Sequence, residues 1–139
     1  MIIFIILFIC MLFCHIVDDY YLQGWLANWK QKVWWEKNAP NEKYKNDYKV
    51  ALTCHAFSWS FMIMLPILIF SLYNSYYNNI YYIIYYILFI IINTYIHAYV
   101  DNLKANKLKI NLIQDQLCHF VQIVVTFISF LITYYLFIV

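Results

Sequence analysis

The chain has 139 residues; 65% are hydrophobic and 12% charged, against roughly 25% charged in an average soluble domain. That much apolar surface cannot be hidden in one small globule, which excludes a soluble domain, and the same composition excludes intrinsic disorder. A net charge of +2 is too small to imply nucleic acid as a partner, and one Gly with two Pro leaves little room for an all-β fold built on tight turns.

The chain is therefore expected to be all-α: a single four-helix transmembrane bundle with spans at about 2–26, 50–73, 80–104 and 111–138, each long enough for the roughly 20 residues a span needs. No Lys precedes the first span and no small-residue cleavage site follows it, so it reads as a retained span rather than a cleaved signal. Within it His15, Asp19 and Gln23 are spaced i, i+4, i+8 and line one helical face, while Asp18 points about 100° away from Asp19.

The connection at 29–49 carries Lys30, Lys32, Lys37, Lys43, Lys45 and Lys49 mixed with Trp29, Trp34 and Trp35, as a segment lying in the membrane interface does. Pro40 is expected to interrupt any helix there. The second span contains Thr53 and His55, with Pro66 as an expected kink. An uncharged turn, Asn74 to Asn79, leads to the third span. There Asn93, His97 and Asp101 repeat the i, i+4, i+8 stripe ahead of Lys104, Lys107 and Lys109. The fourth span opens on Asp115, Gln116 and His119, with Gln122 a turn further on.

The nine basic residues are all Lys, and all lie in the first or third connection or at their edges. The positive-inside rule therefore predicts both termini outside and the Lys-rich connections in the cytoplasm, in a cell (inner) membrane. Contact with anionic lipid is a second use for those Lys clusters.

Three His/Asp pairs at helical spacing carry the chemistry. An ionisable group at the centre of a span costs roughly 2.5–3.5 kcal/mol on insertion scales, so such groups persist when they pair, bind an ion or line a wet cavity. At about 1.5 Å per residue most of them fall roughly 10 Å inside the cytoplasmic boundary, at one level of the bundle. Inward-pointing carboxylates and imidazoles in four helices are a known way to build a two-metal site. The expected ligands are His15, Asp19, His55, His97, Asp101, Asp115 and His119, for two divalent ions among Zn, Mn and Fe. Gln23 and Gln116 are expected to orient those ligands. Asp18 is a candidate general base, and Lys30 and Lys104 are candidates to steady a phosphate. Cys14, Cys54 and Cys118 each precede a His, but adjacent residues do not share a helix face. Tyr and Trp residues read as interfacial and lipid-facing packing.

The order of these short stretches resembles domain-of-unknown-function family 3307, small bacterial and phage integral-membrane proteins. That family's members look like four-helix proteins with an early H-x3-D-x3-Q stretch, a central His, an H-x3-D-x2-K stretch and a late D-Q-x2-H stretch. Here these are His15-Asp19-Gln23, His55, His97-Asp101-Lys104 and Asp115-Gln116-His119, with Asn28 and Lys30 after the first; the resemblance covers roughly residues 13 to 122. It implies the site but supplies no reaction; a phage-type role at the host envelope is what it would imply biologically. The two halves also resemble each other, as a parallel pseudo-repeat of two hairpins would.

Two functions fit these residues. One is a membrane-embedded, metal-dependent hydrolase at the cytoplasmic leaflet, acting on a phosphorylated lipid or lipid-linked headgroup. The other is a non-catalytic membrane module whose metal or His/Asp cluster staples the bundle while the Lys/Trp-rich connection recruits a cytoplasmic protein partner. Transport is disfavoured, because the outer halves of the spans offer no polar path and transporter sites tend to lie at the midplane.

Overall fold

The structure is a computed structural model and describes residues 2–138. Among the described residues it is all-helical, with no strand: α1 (Ile2–Val17), α2 (Leu26–Trp29), α3 (Lys32–Asn38), α4 (Asp47–Tyr73), α5 (Ile80–Ala105) and α6 (Leu112–Thr133). A π-helical turn, Asp18–Leu22, continues α1, and another, Tyr134–Ile138, continues α6.

Among the described residues, four helical runs are long and apolar enough to cross a membrane: Ile2–Leu22, Glu42–Tyr73, Ile80–Ala105 and Leu112–Phe137. The shortest, at 21 residues, extends about 31 Å and matches the ~30 Å hydrocarbon thickness. The second run starts before the expected residue 50, because Asp47 in the first turn of α4 suits a helix N-terminus. α4 continues through Pro66, which is buried. α3 stops at Asn38, two residues before Pro40, whose ring disfavours helical geometry in the residue ahead of it.

Side-chain caps set the starts of the last two spans. Asn79 Oδ1 accepts from the backbone N–H of Tyr81 at 2.9 Å and of Tyr82 at 3.4 Å. Asn111 and Gln114 form a reciprocal capping box at α6, with bonds of 2.9 and 3.0 Å. The short connections on either side of α5 make its two partners antiparallel neighbours. α1 packs on α4, α4 on α5 and α5 on α6, and α6 returns to α1 along a narrower seam.

The interior is layered. One half is apolar, built from Leu7, Met11, Ile63, Met64, Ile67, Tyr82, Tyr85, Ile123 and Phe130. Below it Asn93, Gln122 and Thr126 join α5 to α6 in a buried polar layer. One turn beyond Asn93 come the imidazoles and carboxylates, and the Lys residues close that end. The segment carrying α2 and α3 is tied there through Asn106, which donates to Lys30 O at 3.1 Å and accepts from Lys32 N at 2.7 Å.

Candidate metal centre

His55 on α4, His97 on α5 and His119 on α6 are fully buried, and each turns Nε2 toward the bundle axis. His55 Nε2 and His97 Nε2 face each other at 3.2 Å. The carboxylates surround them. Asp19 Oδ1 lies 3.4 Å from His55 Nε2 and 3.9 Å from His97 Nε2. Asp101 turns Oδ2 toward His55 Nε2 at 3.4 Å, and Oδ1 toward His119 Nε2 at 3.4 Å and His97 Nε2 at 3.8 Å. Asp115 Oδ1 lies 3.5 Å from His119 Nε2.

Two groups drawn from these residues could hold a metal ion: Asp19, His55 and His97, and His97, Asp101 and His119. Ligands about 2.0–2.2 Å from a tetrahedral ion stand roughly 3.3–3.6 Å from one another, the range most of these separations occupy. Asp115 Oδ1 and His119 Nε2 are buried without a hydrogen-bond partner although they face one another, as two atoms sharing a cation do. Charge bears on the same point. Asp18, Asp19, Asp101 and Asp115 are buried, and two ammonium groups reach them: Lys30 Nζ on Asp101 Oδ2 and Lys104 Nζ on Asp115 Oδ2, both at 2.6 Å. The remaining two negative charges in this low-dielectric interior would be balanced either by protons on the imidazoles that face them or by a divalent cation.

The π-helical turn explains how neighbouring carboxylates both reach this interior. An α-helix would separate Asp18 from Asp19 by about 100°; the wider turn buries both. They flank one ring: Asp19 stands at His55 Nε2, and Asp18 Oδ2 lies 3.8 Å from His55 Nδ1. Asp18 also accepts a 2.6 Å hydrogen bond from Ser58 Oγ. Asp18 thus stands behind an imidazole but beyond hydrogen-bond reach, with Asp18 Oδ2 and His55 Nδ1 both buried and unpaired. Gln23 donates to the backbone carbonyl of Asp19 and closes the π turn rather than reaching a carboxylate.

His15, expected among the ligands, stands outside both groups. Trp59 Nε1 is a donor only and sits 2.7 Å from His15 Nδ1, so that nitrogen accepts and Nε2 carries the proton. His15 Nε2 then donates to Gln116 Oε1 at 3.1 Å. Gln116 in turn donates to Asp19 Oδ2 and to Asp115 Oδ2, each at 3.2 Å, linking α1 to α6. Lys30 and Lys104, expected at a phosphate, are engaged by Asp101 and Asp115 instead. Cys10, Cys54 and Cys118 are exposed, Cys14 is half-buried, and all four are free thiols apart from these groups.

Trp59 and Ser58 went unrecognised in the sequence. Trp59 is fully buried and stacks on His97 with centroids 4.2 Å apart, and His97 stacks on His119 at 4.1 Å. Its signal was its position four residues after His55, on the same face of α4.

No family model matches the chain, and neither does any curated protein or solved structure.

Proposed function

We propose that the protein is a membrane-embedded hydrolase dependent on two divalent metal ions, acting at the cytoplasmic leaflet on a phosphorylated lipid or lipid-linked headgroup, in a cell membrane with both termini outside. The observation that carries this reading is the double-facing Asp101, which offers Oδ2 to His55 and Oδ1 to His119, as a carboxylate bridging two ions does.

Two overlapping ligand groups, which share His97, support two ion positions. A nitrogen lone pair lies in its ring plane. His97 and His119 are stacked with their planes 25° apart, and both turn Nε2 toward Asp101 Oδ1, at 3.8 and 3.4 Å. His55 and His97 are inclined by 63° with Nε2 atoms 3.2 Å apart, a geometry that converges. Asp19, His55 and His97 would hold one ion, and His119 with Asp101 the other, with Asp115 beside His119 and the second Asp101 oxygen turned toward His55.

Divalent ions in this setting supply Lewis acidity and make bound water a nucleophile near neutral pH. Two of them would turn the deficit of two positive charges into an excess of two, which a phosphate dianion matches. Lys104 holds Asp115 Oδ2 and leaves Asp115 Oδ1 to the interior, whereas Lys30 shares Asp101 Oδ2 with His55 and leaves Asp101 Oδ1 free of an ammonium. The depth of the cluster, beside the Lys-rich connections, is where headgroups meet acyl chains. The order of His and Asp stretches also supports membership of family 3307.

The test is phosphate release from a panel of phosphorylated lipids by purified protein with Zn, Mn or Fe. Wild type is expected to release phosphate from at least one member and His97→Ala from none; equal inertness of both across the panel ends the hydrolase reading. A staple without catalysis predicts instead that chelation unfolds the bundle.

A further inference from the structure

The seam between α1 and α6 opens on a groove of about 590 Å³ lined by Leu12, His15, Ile16, Tyr20, Gln116 and Phe120, with Tyr21 at its rim. Ile16, Tyr20, Tyr21 and Phe120 are exposed on the flank of the bundle, the side that meets acyl chains in a membrane. The walls are apolar or aromatic, and the floor is polar: His15 and Gln116 joined by their 3.1 Å hydrogen bond. Behind that floor Gln116 touches carboxylates from both sides of the metal centre, Asp19 and Asp115. A single amide side chain thus separates a lipid-facing groove from the buried cluster.

We propose that this groove admits a phosphorylated lipid sideways from the bilayer, its first methylenes on Leu12, Ile16 and Phe120 and its phosphate on the floor. The chemistry of the lining commits to that occupant. Apolar walls accept a chain and reject a free anion. The floor holds N–H donors that are paired within the protein, His15 Nε2–H on Gln116 Oε1 and the Gln116 amide on Asp19 and Asp115; turned outward, they suit phosphate oxygens. His15 acts there as a neutral donor, because Trp59 occupies its other nitrogen. Gln116 is a positioning residue: when its amide swings to a phosphate it leaves Asp19 and Asp115, and the phosphate takes its place beside the ions. The inference rests on the hydrolase reading for the chemistry after binding, while binding itself can be read without turnover.

The test uses the full chain in nanodiscs, loaded with Zn, and a single-chain alkyl phosphate with a diazirine near the headgroup. After irradiation, labelled residues are mapped by mass spectrometry. Labels are expected on Leu12, Ile16 and Phe120, falling about tenfold in Ile16→Trp, which fills the groove from a lipid-facing position, a difference of about 1.4 kcal/mol. They are also expected to fall in Gln116→Leu, which keeps the bulk and removes the donor.

The matching alkyl alcohol separates specific from annular lipid, and equal labelling of the three residues by the alcohol overturns the proposal. Inorganic phosphate that displaces the probe at equal concentration overturns the commitment to a lipid. Labels confined to the α2–α3 segment, or unchanged in both variants, overturn the groove. Groove labelling without phosphate release refutes the hydrolase and leaves the binding site standing; phosphate release with labels elsewhere does the reverse.

Discussion

Trp59 donates its indole N–H to Nδ1 of His15 at 2.7 Å, across 44 residues of sequence. A donor-only group on one imidazole nitrogen fixes the proton on the other, so one α4 residue decides what the α1 histidine can do. Trp59→Phe keeps most of the aromatic bulk and removes the donor. Stability in detergent is expected to fall by about 1–3 kcal/mol, the cost of leaving a buried acceptor unpaired. Unfolding of both proteins followed by circular dichroism checks it; an unchanged midpoint means that the indole does not hold this ring.

Metal content separates the histidines. Elemental analysis of detergent-purified protein is expected to find two ions per chain in the wild type. His15→Gln is expected to keep both, since His15 lies outside both ligand groups. His119→Ala should lose one ion, and His97→Ala at least one, with its phosphate release abolished. A loss in His15→Gln equal to that in His97→Ala would place His15 among the ligands.

The four spans were legible because hydrophobic runs of membrane length are unambiguous, and the Lys clusters marked the ends where the ionisable layer sits. Much of the cluster was legible too: helical spacing put His97 with Asp101, and Asp115 with His119, on common faces. What failed was local. The i, i+4 rule assumes an uninterrupted α-helix, and the π turn at Asp18–Leu22 changes which side chains face inward, so Asp18, a candidate general base expected about 100° away from Asp19, is buried beside it. His15 kept the right face but met Trp59, a residue whose type alone suggested the lipid interface. Lys30 lies 71 residues from Asp101, and no local pattern could pair them; only folding of the α2–α3 segment over the bundle end does so.

That pairing makes the two lysines unequal. The Lys30 side chain is 14% exposed and that of Lys104 35%. Removing either ammonium leaves a buried carboxylate unpaired, which typically costs about 3–5 kcal/mol, but solvent around the more exposed Lys104 screens its share of that loss. Lys30→Met is therefore expected to destabilise more than Lys104→Met in metal-free buffer. The Lys30→Met penalty should shrink when Zn is added, because an ion at Asp101 replaces the lost charge. Thermal unfolding of both variants with and without Zn measures this; a penalty that Zn does not change would separate Asp101 from the ion.

The Asn93 layer offers the opposite control. Asn93 Nδ2 donates to Thr126 Oγ1 at 3.0 Å, and Asn93 Oδ1 accepts from Gln122 Nε2 at 2.9 Å. It lies one helical turn from His97, outside both ligand groups. Gln122 keeps its 2.8 Å bond to the Asn93 carbonyl, and Thr126 its 2.8 Å bond to the Gln122 carbonyl, so Asn93→Leu strips only the links made by the Asn93 side chain. Hydrogen bonds between helices in a membrane average about 0.6 kcal/mol and reach about 1.7. A loss of about 1–2 kcal/mol is expected, with two ions still bound. Unfolding midpoint and elemental analysis on one preparation read both quantities. If metal is lost together with stability, the polar layer and the ionisable layer form one cooperative network, and the metal centre depends on contacts a full turn deeper than its ligands.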